Sequence, residues 1–326
     1  MPIEFEGLER DYANSTMAHI NADVYHMMDH DRLHYFAVDV KAMIAEKKRL
    51  SGLHGFINLI VNRDLAIGVR ASKSVLVLKA GVRIGVMNVK GKKSECNNKL
   101  IISNRWVQQN GDDVYMIDYC NYLYTIKWSD VHQGRHDWRR VDLQPTVADF
   151  CCTTAAGLAY LRFDGEVCLP FGKTTRLDTV KCDPKWRWTI LTRAAKHWIV
   201  SGDLDGQAII ASINGSGKVK SNISLRLTSN DSRSPSLRGH QSIYSITPVF
   251  DRHRRAIVMV VERLGSIHLI SISMTAKLSI CSSVAASFES TSMWRTAVLS
   301  VNQLRHEGQF IIGGKDWNKL ICLKLK

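Results

Sequence analysis

Short apolar runs separated by tight polar turns recur along the whole chain. Residues 196–214, KHWIVSGDLDGQAIIASIN, hold one apolar run, an acidic glycine-containing turn and a second apolar run. The same arrangement stands at 256–273, AIVMVVERLGSIHLISIS, and at 308–325, GQFIIGGKDWNKLICLKL. Fainter copies occupy 24–40 (VYHMMDHDRLHYFAVDV), 65–81 (LAIGVRASKSVLVLKAG), 114–130 (VYMIDYCNYLYTIKWSD) and 157–172 (GLAYLRFDGEVCLPFG). β-Branched residues dominate these runs, as half-buried pleated strands prefer. Each copy reads as a β-hairpin.

The hairpin turns fall near Asp31, Ser72, Asn121, Asp164, Asp205, Leu264 and Asp316, at spacings of 41 to 59 residues. Further apolar stretches precede most hairpins, among them GFINLIV (55–61) and RWTILT (187–192), and others follow, among them NISLRL (222–227) and KLSICSSV (277–284). Each unit then has four strands. A lone four-stranded sheet leaves its faces uncovered, whereas sheets stacked radially cover one another. The pattern predicts an all-β chain, one domain over 1–326, built as a seven-bladed β-propeller. The last unit stops after its third strand, and PIEFEGL (2–8) alternates apolar and charged positions. That segment is expected to complete the last blade and close the ring. KAMIAEKKRL (41–50) reads as a basic helix or an outer strand, and SNDSRSPSLR (229–238) as a loop open to docking or phosphorylation.

Several of these residues resemble the WD-repeat family. Gly239-His240 precedes an inner strand at the family's Gly-His position, and Trp128-Ser129-Asp130 closes a third strand where the family has Trp-Asp. Asp164-Gly165 and Asp205-Gly206 occupy the turn where it places Asp-Gly. Most units lack the Trp-Asp and Gly-His pairs, so the chain resembles a divergent member. The resemblance implies a seven-bladed, non-catalytic platform for other proteins. Residues 185–273 are also similar to the WD-repeat subunit of tRNA ribose 2′-O-methyltransferases, which is about three propellers long.

Composition narrows the class. Apolar residues are 45% and charged residues 23%, enough for a core and against wholesale disorder. Lys and Arg number 44 against 30 Asp and Glu, a net charge of +14 that attracts polyanions. The 8 cysteines show no CxxC spacing and mostly sit in apolar runs, which reads as buried thiols in a reducing, intracellular compartment. The N-terminus has no signal-peptide core, and no run reaches the about 18 apolar residues of a membrane span.

Motifs with chemistry are few. Phe171-Gly172-Lys173-Thr174-Thr175 lacks the first P-loop glycine, Val167 standing there, and Asn214-Gly215-Ser216-Gly217-Lys218 fails likewise at Ser212. Both are expected to be turns between third and fourth strands. His26, His30 and His34 have helical spacing for a metal, but their segment reads as a hairpin, so they are ordinary polar positions. There is no GxSxG elbow. No catalytic residue, cofactor, metal or small-molecule substrate is expected.

Loops joining strands one to two and three to four emerge on one rim of such a ring. That rim collects Arg135, Arg139, Arg140, Lys173, Arg176, Arg252, Arg254 and Arg255, with Trp138 among them. Lys196, Lys218 and Lys220 join them, and few acids do. The leading expectation is an intracellular scaffold, cytoplasmic or nuclear, with protein subunits as partners and no membrane contact. One rival is an accessory subunit presenting tRNA or another RNA to a modifying enzyme, with phosphates on the basic rim and Trp138 stacked on a base. A second is a propeller hydrolase with residues around the central channel.

Overall fold

A computed structural model describes residues 2–3, 17–19, 24–28, 34–39, 44–49, 56–62, 65–70, 74–79, 82–88, 107–117, 121–141, 147–153, 156–177, 187–204, 207–226, 243–250, 256–262, 267–284, 300–303, 309–313 and 320–324. The chain divides into two compact units, Met1–Val147 with Gly313–Ile321 and Ala148–Ile312 with Cys322–Lys326.

The first unit opens with β1 (Pro2–Ile3) and contains three four-stranded antiparallel sheets. The first sheet is β2 (Met17–His19), β3 (Val24–Met28), β4 (His34–Asp39) and β5 (Ile44–Arg49). The second is β6 (Phe56–Asn62), β7 (Leu65–Arg70), β8 (Ser74–Lys79) and β9 (Val82–Asn88). The third is β10 (Val107–Asn110), β11 (Asp113–Ile117), β12 (Leu123–Lys127) and, after the short helix α1 (Trp128–His132), β13 (Arg139–Arg140). Leu65, Ile67 and Val77 of the second sheet share one core with Val114, Met116 and Ile126 of the third.

The second unit has three more such sheets. The fourth is β14 (Val147–Thr153), β15 (Gly157–Arg162), β16 (Glu166–Leu169) and β17 (Lys173–Arg176). The fifth is β18 (Arg187–Ala194), β19 (His197–Leu204), β20 (Gln207–Ile213) and β21 (Val219–Arg226). The sixth is β22 (Ile243–Phe250), β23 (Ala256–Glu262), β24 (Ile267–Ile272) and β25 (Leu278–Val284). β26 (Ser300–Gln303) and β27 (Gln309–Gly313) follow, and the last strand is β28 (Leu320–Lys324). β1 pairs antiparallel with β28, Pro2 with Ile321 and Ile3 with Leu320, so the expected terminal pairing is present. The rest of segment 2–8 lies outside the described residues.

Position within a sheet explains the two kinds of strand pattern. β20 is covered on both faces, and Ala208 to Ile213 are all buried, which is why AIIASI is almost continuously apolar. β21 is the outer strand and alternates, with Lys220, Asn222, Ser224 and Arg226 exposed. Leu161 and Val167 of the fourth sheet, with Leu177 just beyond its last strand, pack with Trp188, Val200 and Ala211 of the fifth. Ile199, Ile210 and Leu225 of the fifth pack with Ile246, Val258 and Ile270 of the sixth. Buried Asp149 on β14 reinforces the stack, its Oδ2 accepting the Leu191 N–H of β18 at 2.8 Å.

The structure resolves or corrects several readings. Within the segment 41–50, Ile44–Arg49 form outer strand β5, the second of the two readings. β3 and β4 form the expected hairpin, with His26 opposite Ala37, and His34 opposes Arg49 on β5; His30 lies outside the described residues. The third strand of the third sheet ends at Lys127, not at Asp130. The Trp128 N–H still reaches Asp112 O at 2.8 Å. The Asp112 carboxylate then accepts both the Ser129 N–H (3.0 Å) and the Ser129 hydroxyl (2.6 Å), satisfying groups at the start of the helical turn α1. Asp205-Gly206 and Gly239-His240 lie outside the described residues.

Candidate interaction surface

In an antiparallel four-stranded sheet, the one-to-two and three-to-four connections share one end and the two-to-three connection takes the other. In the second unit the first end is built from four described turns. β16 joins β17 through a 3-10 turn, Pro170–Gly172, where Phe171 has φ +64° and is 96% exposed. Both nucleotide-motif lookalikes are turns of this kind, as their sequences suggest.

The β20–β21 and β24–β25 turns share one construction. In the first, Asn214 Oδ1 accepts the Lys218 N–H at 2.8 Å while the Asn214 N–H donates to Lys218 O at 3.0 Å. In the second, Ser273 Oγ accepts the Lys277 N–H at 2.9 Å while the Ser273 N–H donates to Lys277 O at 2.9 Å. Each turn has a left-handed residue just before its lysine, Gly217 at φ +85° and Ala276 at φ +68°. Its carbonyl also accepts a hydroxyl from the preceding sheet, Thr175 Oγ1 to Gly217 O (2.6 Å) and Ser212 Oγ to Ala276 O (2.5 Å). These bonds hold successive turn tips beside one another. Met274, at the tip of the second turn, is 81% exposed.

Charge in the four described turns of this end has one sign. The segments PFGKTT, RAAKHW, INGSGKVK and SISMTAKLS contain no acid. Lys173, Lys196, Lys218, Lys220 and Lys277 are exposed, and no ion pair is described for any of them. Arg193 is half-buried, with its guanidinium 5.0 Å over the Trp198 ring and Nε donating to Ala195 O at 3.0 Å. Burial lowers its pKa, and Cys151 raises it again. The opposite end is mixed, with Asp164 and Glu166 standing beside Arg162, Arg176 and Arg226.

Between the fifth and sixth sheets, at the basic end, lies a cavity of about 690 Å³ lined by Lys196, His197, Ala256, Ile272, Met274 and Lys277 among others. His197 is 3% exposed, and its Nδ1 has no hydrogen-bond partner. Burial holds its pKa below the ordinary imidazole value. The Lys196 and Arg193 charges lower it further, while backbone hydrogen bonding at Met274 and Ser273 pulls the other way.

The predicted basic residues divide into separate groups. Lys173 is exposed at the turn, as expected. Arg176 sits at the far end of the four-residue β17, opposite Glu166 in register, so the strand carries it to the opposite end. In the first unit, Arg135 is neutralised by Asp130, with Nε to Oδ1 at 3.0 Å. Arg139 is exposed on β13, and the Arg140 guanidinium lies 4.0 Å over the Tyr122 ring. Trp138 is half-buried against the core of its own unit, so a base stacked on it would have to displace that packing. Arg252, Arg254 and Arg255 lie outside the described residues. Sequence reasoning missed Phe171, Met274, Lys277 and His197. The readable signal was the five-residue turn itself, an Asn or Ser cap followed four residues later by lysine.

Catalytic geometry is sparse. Among the described residues no group of three His, Cys, Asp or Glu side chains is placed to hold a metal. Ser283 Oγ lies 2.8 Å from His268 Nδ1, but the two are cross-strand partners in the β24–β25 register.

Comparison with solved structures identifies the architecture. The chain is similar to one in the "Crystal Structure of Mitotic Checkpoint Complex" (TM-score 0.62, 10% identity, covering 100% of this chain and 91% of that one). It is similar to the WD40 beta propeller domain of Doa1 (0.58, 11%, 100% and 97%) and to streptogramin B lyase (0.60, 11%, 99% and 97%). The fold is that of a β-propeller. No protein-family description and no curated protein matches the chain.

Proposed function

We propose that the chain is a non-catalytic, intracellular scaffold that holds partner proteins in a larger complex. We take it to be one domain over residues 1–326, a seven-bladed ring closed by the N-terminal strand. The observation that carries the reading is the basic end of the second unit. Phe171 and Met274 project large apolar side chains almost fully into solvent there, from turns otherwise lined with lysine. Exposed aromatic and methionine side chains are enriched at the centres of protein interfaces. Neighbours of the same fold in multi-protein assemblies are consistent with it, although streptogramin B lyase shares the fold, so the fold alone does not decide against an enzyme.

Affinity purification followed by mass spectrometry tests the reading. Wild type should capture a reproducible set of proteins, and Phe171→Ser with Met274→Ser should lose it while unfolding at the same temperature. An empty wild-type capture, or one unchanged in the double variant, contradicts the proposal.

The acid-free lysines also support an RNA-associated role, the second reading, in which the chain presents tRNA or another RNA to a modifying enzyme. It further rests on the likeness of residues 185–273 and the net charge of +14. It predicts filter-bound RNA whose retention falls steeply with salt and falls again when Lys196, Lys218 and Lys277 are changed to Glu. Retention indifferent to both excludes it.

A further inference from the structure

We propose that the cavity between the fifth and sixth sheets is a docking site for a short acidic peptide segment that inserts one apolar anchor side chain. This rests on the scaffold reading and names the chemistry of the partner.

The argument starts from the cavity's size and walls. A volume of about 690 Å³ lies within the range of about 300–1,000 Å³ usual for ligand sites. Ala195, Ala256, Ile272 and Met274 make its surface largely aliphatic and thioether in character. Such walls accept a Leu, Ile, Met or Phe side chain, while Ser271, Ser273 and Ser279 add hydroxyls that can bond the backbone of the same segment. The Met274 thioether at the mouth is flexible enough to close over different anchors. Lys196 and Lys277 stand on two different turns lining the cavity, one from each sheet. With Lys218 on the neighbouring turn and no acid in any of the four turn segments, the approach is positive from every described side. Charge complementarity therefore requires an acidic flank on either side of the anchor, which also speeds encounter.

The same features weigh against other polyanions. Single-stranded nucleic acid binds on exposed aromatic platforms, and the only ring among the described residues of this wall, His197, is buried. An anionic bilayer meets a protein across a broad apolar face rather than filling a concave site.

The test is a peptide array followed by fluorescence polarisation, with the intact chain. The probes are acidic octapeptides of Asp and Glu with one central Leu, Ile, Met or Phe. The controls carry a central Ser or have Lys flanks. Leu- or Met-centred acidic peptides should bind about tenfold more tightly than the Ser-centred set. Lys196→Glu, Lys277→Glu and Met274→Asp should each remove that preference, while Lys47→Glu in the first unit leaves it. All four changes sit at exposed turns or on an outer strand, and circular dichroism melting checks that the fold survives. Equal binding of Leu- and Ser-centred peptides, or a preference that survives Lys196→Glu and Lys277→Glu, overturns the proposal. So does displacement of every peptide by poly(U) or by phosphatidylserine vesicles alike. The affinity purification, repeated on these variants, separates the two claims. Partners captured equally by all variants, with no peptide preference, sink the cavity and leave the scaffold. No captured partners sink the scaffold.

Discussion

Gly165 offers a direct measure of how tightly adjacent sheets stack in the second unit. It ends the turn between β15 and β16, its N–H donating to Arg162 O at 3.1 Å, with φ +82°. A Cβ at this position would lie 2.9 Å from Trp188 Nε1 and 3.0 Å from Trp188 Cδ1. Trp188 belongs to β18 of the next sheet and is 6% exposed, so the indole has little room to retreat. Gly165→Ala therefore combines two costs. Left-handed backbone for alanine costs about 1–2 kcal/mol. Forcing a packed side chain aside costs about 1–3 kcal/mol more. Gly172 in the same sheet supplies the reference, because it has φ +71° but nothing within 4 Å of its added Cβ. Gly172→Ala should lose the strain term alone, about 1–2 kcal/mol. The assay is urea unfolding followed by tryptophan fluorescence, comparing midpoints at equal slope. A Gly165→Ala loss exceeding that of Gly172→Ala by about 1–3 kcal/mol supports direct sheet-on-turn packing. Equal losses would refute the reasoning, since they would mean that the indole does not press on the turn.

Asp149→Ala removes the carboxylate that accepts the buried Leu191 N–H and should cost about 1–3 kcal/mol in the same unfolding assay, with Asp149→Asn costing less because its amide oxygen still accepts. His197 has a folded pKa below the ordinary 6.5, so the unfolded chain takes up the proton first as pH falls. Its contribution is fully present above 6.5 and shrinks as pH drops through that value towards the folded pKa. The melting temperature should thus fall more for wild type than for His197→Gln between about pH 7.5 and about pH 5.5, and parallel curves would contradict this. Ile3→Cys with Leu320→Cys places thiols at partnered positions of β1 and β28, and an oxidised cross-link detected by tryptic mass mapping is expected. Its absence under mild oxidation would argue against the terminal pairing.

Much of the strand layout was legible because inner and outer strands leave different traces. The hairpins at 24–40, 65–81 and 256–273 correspond to β3–β4, β7–β8 and β23–β24. Asn121 was readable as a turn marker because Asn tolerates the left-handed backbone it adopts at φ +64°. Segment 41–50 was ambiguous because its basic residues suit a helix surface as well as an outer strand. The end of β12 was misread because a Trp-Ser-Asp string does not reveal that Asp112, across the ladder, will bond Ser129 and wind the chain into a turn.

The surface was less legible than the strands. Lys173, Lys196 and Lys218 lie exposed at or beside turns, because charge in a loop between apolar runs has few other positions to occupy. The arginines of the third sheet looked equivalent to them, but pairing with Asp130 and stacking on Tyr122 depend on neighbours that loop spacing does not supply. Trp138 looked like a free aromatic for the same reason. Phe171 was read only as part of a turn, and Met274 fell between the runs 256–273 and 277–284, so neither stood out as an exposed apolar side chain. Only the turn geometry turns them outward.

The central claim is that partner proteins meet this chain at the basic end of its second unit. Lysine-reactive cross-linking in the native complex, read by mass spectrometry, tests it most directly. The account predicts that cross-links to other chains concentrate on Lys173, Lys196, Lys218, Lys220 and Lys277. Inter-chain cross-links confined to Lys47, Lys48 and the other lysines of the first unit, or spread evenly over every lysine, would contradict it.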